Sequence, residues 1–231
     1  MSANSFGSRF RITSFGESHG VALGAIVEGC PAGVTFDMSL ITSELARRRP
    51  GQNGIVSGRN EEDAPEVLSG VFEGKTLGTP IAVIVRNKDA RSEDYKEIAF
   101  SPRAGHADDL WRSKFGHSDH RGGGRSSGRE TVARVIGGAI AQMVLREAAP
   151  SLRVFAFASQ IGTVKLDDAE VLEVEKRLVG REIAVDQFSS RFPHAVKNAE
   201  IEEMLLKAKA EGRSYGGEVQ VFIANSPMGL G

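Results

Sequence analysis

Residues 121–130 carry the densest group of potentially functional side chains in this sequence. They read Arg-Gly-Gly-Gly-Arg-Ser-Ser-Gly-Arg-Glu, which places three arginines and two serine hydroxyls on a glycine-rich loop. Glycines let backbone N–H groups approach an anion without interference from a Cβ atom. The positive end of a following helix opposes nearby cations by roughly 0.3–1 kcal/mol each. We therefore expect Arg121, Arg125 and Arg129 to surround a bound anion.

A solvated basic turn before an ordinary helix is the simpler interpretation of this loop. The stretch is not a P-loop, because Gly-Lys-Ser or Gly-Lys-Thr does not follow at the required spacing. The dinucleotide pattern Gly-x-Gly-x-x-Gly is also absent. The loop therefore matches neither of these two phosphate-binding motifs.

A helix directly after the loop is predicted by apolar residues that recur three and four positions apart. These are Val132, Val135, Ile136, Ala139, Ile140, Met143 and Val144. Ser127 followed by Glu130 matches a capping box, which would start the helix near Gly128. Pro150 ends the pattern. The spacing of the apolar residues predicts that the helix packs on a sheet.

Two histidines are candidates for proton transfer. His19 stands in Phe-Gly-Glu-Ser-His-Gly after a strand-like segment, and His106 stands in Arg-Ala-Gly-His-Ala-Asp. An unperturbed imidazole titrates near pH 6.5, so a nearby charge can poise it as a proton donor. A histidine hydrogen-bonded in a turn remains the alternative. The pair His117 and His120 lacks a second pair at structural-zinc spacing, so we expect no metal there.

Composition excludes several classes of protein. The 231 residues include 29 Lys and Arg against 30 Asp and Glu, and a net charge of −1 argues against a general nucleic-acid binder. The positive charge is concentrated between Arg121 and Arg134, which indicates a local site for an acidic small molecule. Cys30 is the single cysteine, so it is expected to pack in a core. No apolar run approaches the ~20 residues of a membrane helix, and we expect a soluble, cytoplasmic protein.

Short apolar runs and helical patterns alternate irregularly, which predicts an α+β fold in a single domain spanning residues 1–231. The expected strands are Phe10–Thr13, Leu23–Val27, Val67–Phe72, Ile81–Arg86, Val154–Ala158 and Val219–Ala224. The expected helices are Ser39–Arg48, Glu130–Ala148, Ala169–Val179 and Ala199–Ala210. Residues 86–126 lack strong periodicity, and so long a stretch is typical of an active-site loop.

Six short motifs occur in the order and approximate spacing of the chorismate synthase family, which the chain resembles along its whole length. They are Gly16-Glu-Ser-His-Gly20, Arg47-Arg-Arg-Pro-Gly51, Leu68-Ser-Gly-Val-Phe72, Gly78-Thr-Pro-Ile81, Gly105-His-Ala-Asp108 and Arg121-Gly-Gly-Gly-Arg-Ser-Ser127. Six motifs in register are far more specific than a similarity of fold.

The resemblance implies an enzyme that removes phosphate and a ring proton from 5-enolpyruvylshikimate-3-phosphate to give chorismate, with reduced FMN as cofactor. Either an external reductase or an NAD(P)H-dependent activity of the protein itself would reduce the flavin. Family members form a β-α-β sandwich and assemble as homotetramers. They also continue past the position of Gly231 with an Arg-x-Asp-Pro motif that carries the proposed base. We therefore expect an N-terminal portion of such a fold, incomplete at the C-terminus.

The resemblance also assigns roles to individual residues. Arg125, Ser126 and Ser127 match the flavin-binding motif. His19 and His106 match the two catalytic histidines of the family. One of these protonates the leaving phosphate and the other protonates the reduced flavin, and the sequence leaves open which histidine has which role.

Four further residues match contacts to anionic groups. Ser18 and Arg48 match contacts to a substrate or nucleotide phosphate, and Arg129 and Arg134 would extend the positive field. Guanidinium groups bind phosphate and carboxylate oxygens in pairs, which suits a substrate with two carboxylates and a phosphate. The alternative function is a truncated, non-catalytic module for flavin or polyanion binding or for assembly, with structural histidines.

Overall fold

The computed structural model describes residues 4–49, 63–87, 101, 103, 105–107 and 109–229. The described residues up to 148 form one compact unit, and residues 149–229 belong to a second. Compact units of this kind occur both within single domains and as separate domains. The single-domain prediction therefore stays a prediction.

The first unit contains eight strands in two antiparallel sheets. The strands are β1 (Ser5–Phe6), β2 (Arg11–Phe15), β3 (Ala22–Glu28), β4 (Ala32–Thr35), β5 (Pro65–Ser69), β6 (Val71–Phe72), β7 (Lys75–Leu77) and β8 (Ile81–Arg86). The larger sheet has the order β1-β2-β3-β8-β5, and the smaller has the order β4-β7-β6. Strands β3 and β8 lie at interior positions of the larger sheet, which agrees with their nearly continuous apolar sequences.

Three helices accompany these sheets: α1 (Met38–Arg48), α2 (Leu110–Phe115) and α3 (Thr131–Ala148). Helix α3 approaches β2 so closely that a Cβ atom on Gly137 would lie 2.2 Å from Cδ1 of Ile12. The core between the helices and the larger sheet includes Ile136, Ile140 and, as expected, Cys30. Burial raises the pKa of the Cys30 thiol. None of the described helices has the length and apolar character needed to cross a bilayer.

The second unit consists of β9 (Arg153–Ile161), β10 (Val164–Lys165), α4 (Asp168–Val179), α5 (Ala195–Ala210) and β11 (Gly217–Ala224). Its antiparallel sheet has the order β10-β9-β11. Alternate side chains of the sheet pack with α4 and α5 in one core, among them Phe157 and Phe222. The intervening positions, such as Val219 and Val221, are exposed. The sheet therefore has one covered face and one open face.

The α+β class is confirmed, and the four predicted helices are present with small shifts of their ends. The expected strand Val67–Phe72 is instead two strands in different sheets, β5 and β6. The break occurs at Gly70, whose φ of +84° bends the chain. Strands β1, β4, β7 and β10 and helix α2 were not predicted, since segments this short carry too few residues to show a period.

Candidate functional site

His19 lies in a tight turn that follows β2. The Gly20 N–H donates to the Glu17 carbonyl at 3.0 Å. The buried Ser18 hydroxyl lies 3.1 Å from the Gly122 carbonyl and 3.1 Å from His19 Nδ1. A carbonyl oxygen only accepts, so the Ser18 hydroxyl donates to Gly122 and accepts from His19 Nδ1. This assignment places the proton of the neutral ring on Nδ1.

The glycine-rich loop packs directly against this imidazole. Gly122 has a φ of +59°, and a Cβ atom there would lie 1.8 Å from His19 Nδ1. Gly124 has a φ of +52°, and its Cβ atom would lie 2.3 Å from the Asp119 carbonyl oxygen. Any larger residue at position 122 would displace the His19 ring. The glycines thus serve close packing around a histidine as well as backbone conformation.

Arg125 connects the glycine-rich loop to the start of the His19 turn. Its Nη1 donates to the Gly16 carbonyl at 2.6 Å, and its Nη2 donates to the Ser14 hydroxyl at 2.7 Å and to Asn4 Oδ1 at 3.1 Å. The Glu130 carboxylate pairs with the same guanidinium at 2.8 Å. The Arg125 side chain is 12% exposed. Its hydrogen bonds are thus directed at protein atoms.

Arg129, whose side chain is 9% exposed, connects two other parts of the first unit. Its Nη1 pairs with Asp63 Oδ1 at 2.9 Å, and its Nε donates to Asn87 Oδ1 at 2.8 Å. Asn87 in turn donates through Nδ2 to the Gly20 carbonyl at 2.8 Å and to the Glu17 carbonyl at 3.1 Å. Arg129 is therefore linked to the His19 turn through a single amide side chain.

Two further arginines complete a positively charged cluster. Arg48 Nη2 lies 3.8 Å from Asp63 Oδ2, at the carboxylate that also binds Arg129. Arg134 pairs with Glu130 at 3.0 Å, and 63% of its side chain is exposed. The cluster thus joins four arginines, Arg125 included, to two carboxylates. Such a gathering of guanidinium groups favours an anionic ligand.

The expectation that Arg121, Arg125 and Arg129 surround a bound anion stays a prediction, although the three arginines do not need an anion for charge balance. Each pairs with a carboxylate of the protein: Asp119, Glu130 and Asp63, respectively. The prediction considered only the acid within residues 121–134 and so omitted Asp63 and Asp119. The Arg121 hydrogen bonds lower the pKa of Asp119.

The two serines of the loop make hydrogen bonds within the first unit. Ser126 Oγ donates to the Ala107 carbonyl at 2.9 Å, next to His106. Ser127 Oγ accepts from the Arg129 N–H at 3.3 Å, so Ser127 caps the single 3-10 turn Gly128–Glu130 that directly precedes α3. The reciprocal half of the predicted capping box is wrong, because the Glu130 carboxylate binds Arg125 and Arg134 instead.

The loop of residues 121–127 therefore contacts both histidine segments, through Gly122 at His19 and through Ser126 beside His106. The His106 residue itself is exposed. Three motif residues, Pro50, Gly51 and Asp108, lie outside the described part of the chain. Within that part, no group of His, Cys, Asp and Glu side chains is arranged to hold a metal ion.

Sequence reasoning missed four residues of this network: Asn4, Ser14, Asp63 and Asn87. Asn87 had a readable signal, because it is the polar residue directly after the predicted strand Ile81–Arg86. Asp63 had none, since its arginine partners are 15 and 66 residues away along the chain.

Comparison with known proteins shows the family to which the chain belongs. The family model for chorismate synthase matches residues 10–231. The chain belongs to the chorismate synthase family. It is 59% identical to the chorismate synthase of Bdellovibrio bacteriovorus, over 100% of this chain and 67% of that protein. It is 43% identical to the chorismate synthase of Methanopyrus kandleri, over 99% of this chain and 59% of that protein.

A solved crystal structure of chorismate synthase has a similar fold, with a TM-score of 0.72 and 32% identity. The match covers 95% of this chain and 60% of that structure. The chain of Christiangramia forsetii chorismate synthase is likewise covered only to 62%, at 43% identity. This chain therefore spans about three fifths to two thirds of the length of these relatives.

Proposed function

We propose that this chain contributes to a chorismate synthase active site that converts 5-enolpyruvylshikimate-3-phosphate to chorismate. In this reaction the bond between a ring carbon and the phosphate oxygen breaks, a ring C–H proton leaves, and no net oxidation occurs. The observation that carries the proposal is a hydrogen-bonded cluster in which Ser18 binds the His19 ring, while Arg125 directly and Arg129 through Asn87 bind the backbone of its turn. Such a cluster suits a proton donor beside an anion.

The clustering of arginines supports binding of a substrate with two carboxylates and a phosphate. Arg48 and Arg129 both lie at one carboxylate, that of Asp63. Arg134 shares Glu130 with Arg125 and extends towards solvent. Guanidinium groups bind phosphate and carboxylate oxygens through paired N–H donors. In the proposal, Arg48, Arg129 and Arg134 supply this positive field.

His19 is proposed as one of two proton donors. Its Nδ1 is bound to Ser18 Oγ, so proton exchange takes place at Nε2. A proton supplied at that atom would stabilise the charge that develops on the departing phosphate or on the flavin. His106, on the segment that Ser126 holds, is the second proposed donor. The geometry leaves the division of the two roles open.

Reduced FMN fits this region through its charge. The guanidinium groups of the arginine cluster favour the flavin phosphate, and Arg134 is the most exposed of the four arginines. The Arg125 and Ser126 side chains already bind protein carbonyls, so we assign them to holding the loop that would frame the cofactor. When bound, reduced FMN supplies an electron-rich ring system that no side chain here offers. NADPH as the reductant and a homotetramer complete the proposal on the basis of the resemblance, and a cytoplasmic location on the basis of the sequence.

Flavin titration tests the proposal. We expect the protein to quench FMN fluorescence on binding and Arg134→Ala to weaken that binding about 10-fold, the loss of one hydrogen bond to a charged group. Arg146→Ala is the matched control, because Arg146 lies on the same helix with 56% of its side chain exposed, near the opposite end. It should bind FMN like the wild type.

A second titration addresses the alternative function. If FMN fluorescence is unaffected while single-stranded nucleic acid binds with a steep salt dependence, a polyanion-binding module is favoured. Equal FMN affinity of the wild type and Arg134→Ala would contradict the proposed role of Arg134.

A further inference from the structure

Asn87 occupies a central place in the network although no motif includes it. It follows β8 directly, and its backbone N–H donates to the Val21 carbonyl at 3.1 Å. Its side chain contacts Arg129 on one side and the carbonyls of Glu17 and Gly20 on the other. These carbonyls flank His19 in the sequence. One amide thus bridges the positive cluster and the turn that carries the histidine.

The orientation of this amide follows from its partners. A guanidinium only donates hydrogen bonds, so the Asn87 oxygen must face Arg129 Nε, at 2.8 Å. Carbonyl oxygens only accept, so the Asn87 NH2 group must face the turn, where both of its hydrogens are used, at 2.8 and 3.1 Å. Among the common side chains of this size, only an amide offers an acceptor on one side and two donors on the other.

We propose that Asn87 is a positioning residue that fixes the His19 imidazole relative to Arg129. This inference rests on the proposed function, in which His19 donates a proton to a group held by the arginines. The glycine-rich loop holds one side of the turn: Ser18 of the turn donates to a carbonyl of the loop, and Arg125 of the loop donates to the Gly16 carbonyl. Asn87 holds the other side from the end of β8. Release of either side allows the imidazole to move.

Two substitutions separate the functions of the amide. Asn87→Asp keeps an oxygen that accepts from Arg129, but it places a second oxygen against the carbonyls of Glu17 and Gly20, which repel it. Asn87→Ala removes both interactions and adds no repulsion. Asn198→Asp is the matched control in the second unit, where Asn198 donates to Glu202 at 3.1 Å and accepts from Ser190 at 2.6 Å. It changes the same chemical group far along the chain from the His19 turn.

Nitrogen-15 NMR of the histidine side chains tests the inference in the 231-residue protein, with the His19 signals assigned from His19→Gln. In the wild type we expect neutral His19 to carry its proton on Nδ1. In Asn87→Asp we expect a mixture of the two tautomers, because the turn no longer holds the ring against Ser18. Asn198→Asp should leave the His19 signals unchanged.

Thermal unfolding of each variant shows whether it is folded. If Asn87→Asp does not fold, Asn87→Ala is used alone, with the same expected change at His19. A folded Asn87 variant with wild-type His19 signals would overturn the inference.

Kinetics distinguish this inference from the proposed function. With 5-enolpyruvylshikimate-3-phosphate and reduced FMN, we expect Asn87→Asp to lower kcat about 100-fold, as a misplaced catalytic group does, with KM changed less than about 3-fold. Wild-type protein without this activity would count against the proposed function, and the NMR result would still decide the role of Asn87. An active wild type and an equally active, folded Asn87→Asp would overturn the role of Asn87 alone.

Discussion

The polar network at the start of α3 and the one at the start of α4 use similar side chains in different ways. At α4, Asp167 and Glu170 form a capping box over three residues, and Lys197 reaches Glu170 from 27 residues away. At α3, Arg125 binds Gly16 from 109 residues away, and Arg129 binds Asp63 from 66 residues away. The α4 network completes a helix end, whereas the α3 network joins separate segments of the first unit around His19.

The α3 and α4 networks also differ in the burial of their charged side chains and in the number of arginines that they contain. The Arg129 and Asp63 side chains are 9% and 3% exposed, whereas those of Lys197 and Glu170 are 27% and 25% exposed. The α3 network gathers four arginines at two carboxylates, those of Asp63 and Glu130. At α4, Glu170 binds Lys197 and approaches His194, in a pairing that solvent screens. Long-range partners and burial, rather than residue types, distinguish a candidate site from a helix cap.

The largest expected effect comes from Asp63→Asn. This change leaves Arg129 and Arg48 beside each other without their shared carboxylate, and breaking a buried pair costs about 3–5 kcal/mol. Glu170→Gln in the second unit removes a partly exposed partner and should cost about 1 kcal/mol. Urea unfolding measures both values. Equal losses would remove the distinction between the two networks.

A smaller effect is expected for Gly122→Ala. Alanine there must adopt a φ of +59° and would push its Cβ atom into the His19 ring, so we expect a loss of about 1–3 kcal/mol and displacement of the imidazole. Gly128→Ala is the control from the same loop, since a Cβ atom there would meet nothing within 4 Å. It should change stability by less than about 1 kcal/mol. Thermal unfolding and the His19 NMR signals report the two effects, and wild-type His19 signals in Gly122→Ala would contradict the packing role of Gly122.

The smallest effect concerns pH and is shared by both networks. Hydrogen bonds from Arg121 lower the pKa of Asp119, and hydrogen bonding from Lys197 lowers the pKa of Glu170. A carboxyl whose pKa is lower in the folded state contributes stability above its unfolded pKa and loses it as the pH falls through its folded pKa. We therefore expect these contributions at pH 7 and their loss below about pH 4.

Carboxyl carbon-13 NMR checks this pH dependence. Arg121→Gln should return the pKa of Asp119 towards its ordinary value, and Lys197→Gln should do the same for Glu170. An unchanged Asp119 titration in Arg121→Gln would show that Arg121 is not the cause of the lowered pKa.

Much of the fold could be predicted because its signals are local. The apolar period of α3 and the cap at Ser127 are both present, and strand Ile81–Arg86 has the expected bounds. The pairing of Glu130 with Arg125 and Arg134 is also local, although Glu130 was expected to complete a capping box instead. The long-range partners of Arg129 could not be predicted in this way. Asp63 lies 66 residues and Asn87 lies 42 residues away along the chain, and only the fold brings them to Arg129.

The central claim is that His19 lies within reach of an anion held by the arginine cluster. Titration of the protein with 5-enolpyruvylshikimate-3-phosphate, followed by the His19 nitrogen-15 signals, tests this claim most directly. We expect a saturable shift of the His19 signals in the wild type and in Arg146→Ala. In Arg134→Ala, the substrate concentration that gives half of the full shift should be about 10-fold higher. His19 signals that do not change at any substrate concentration, in a protein that remains folded, would contradict it.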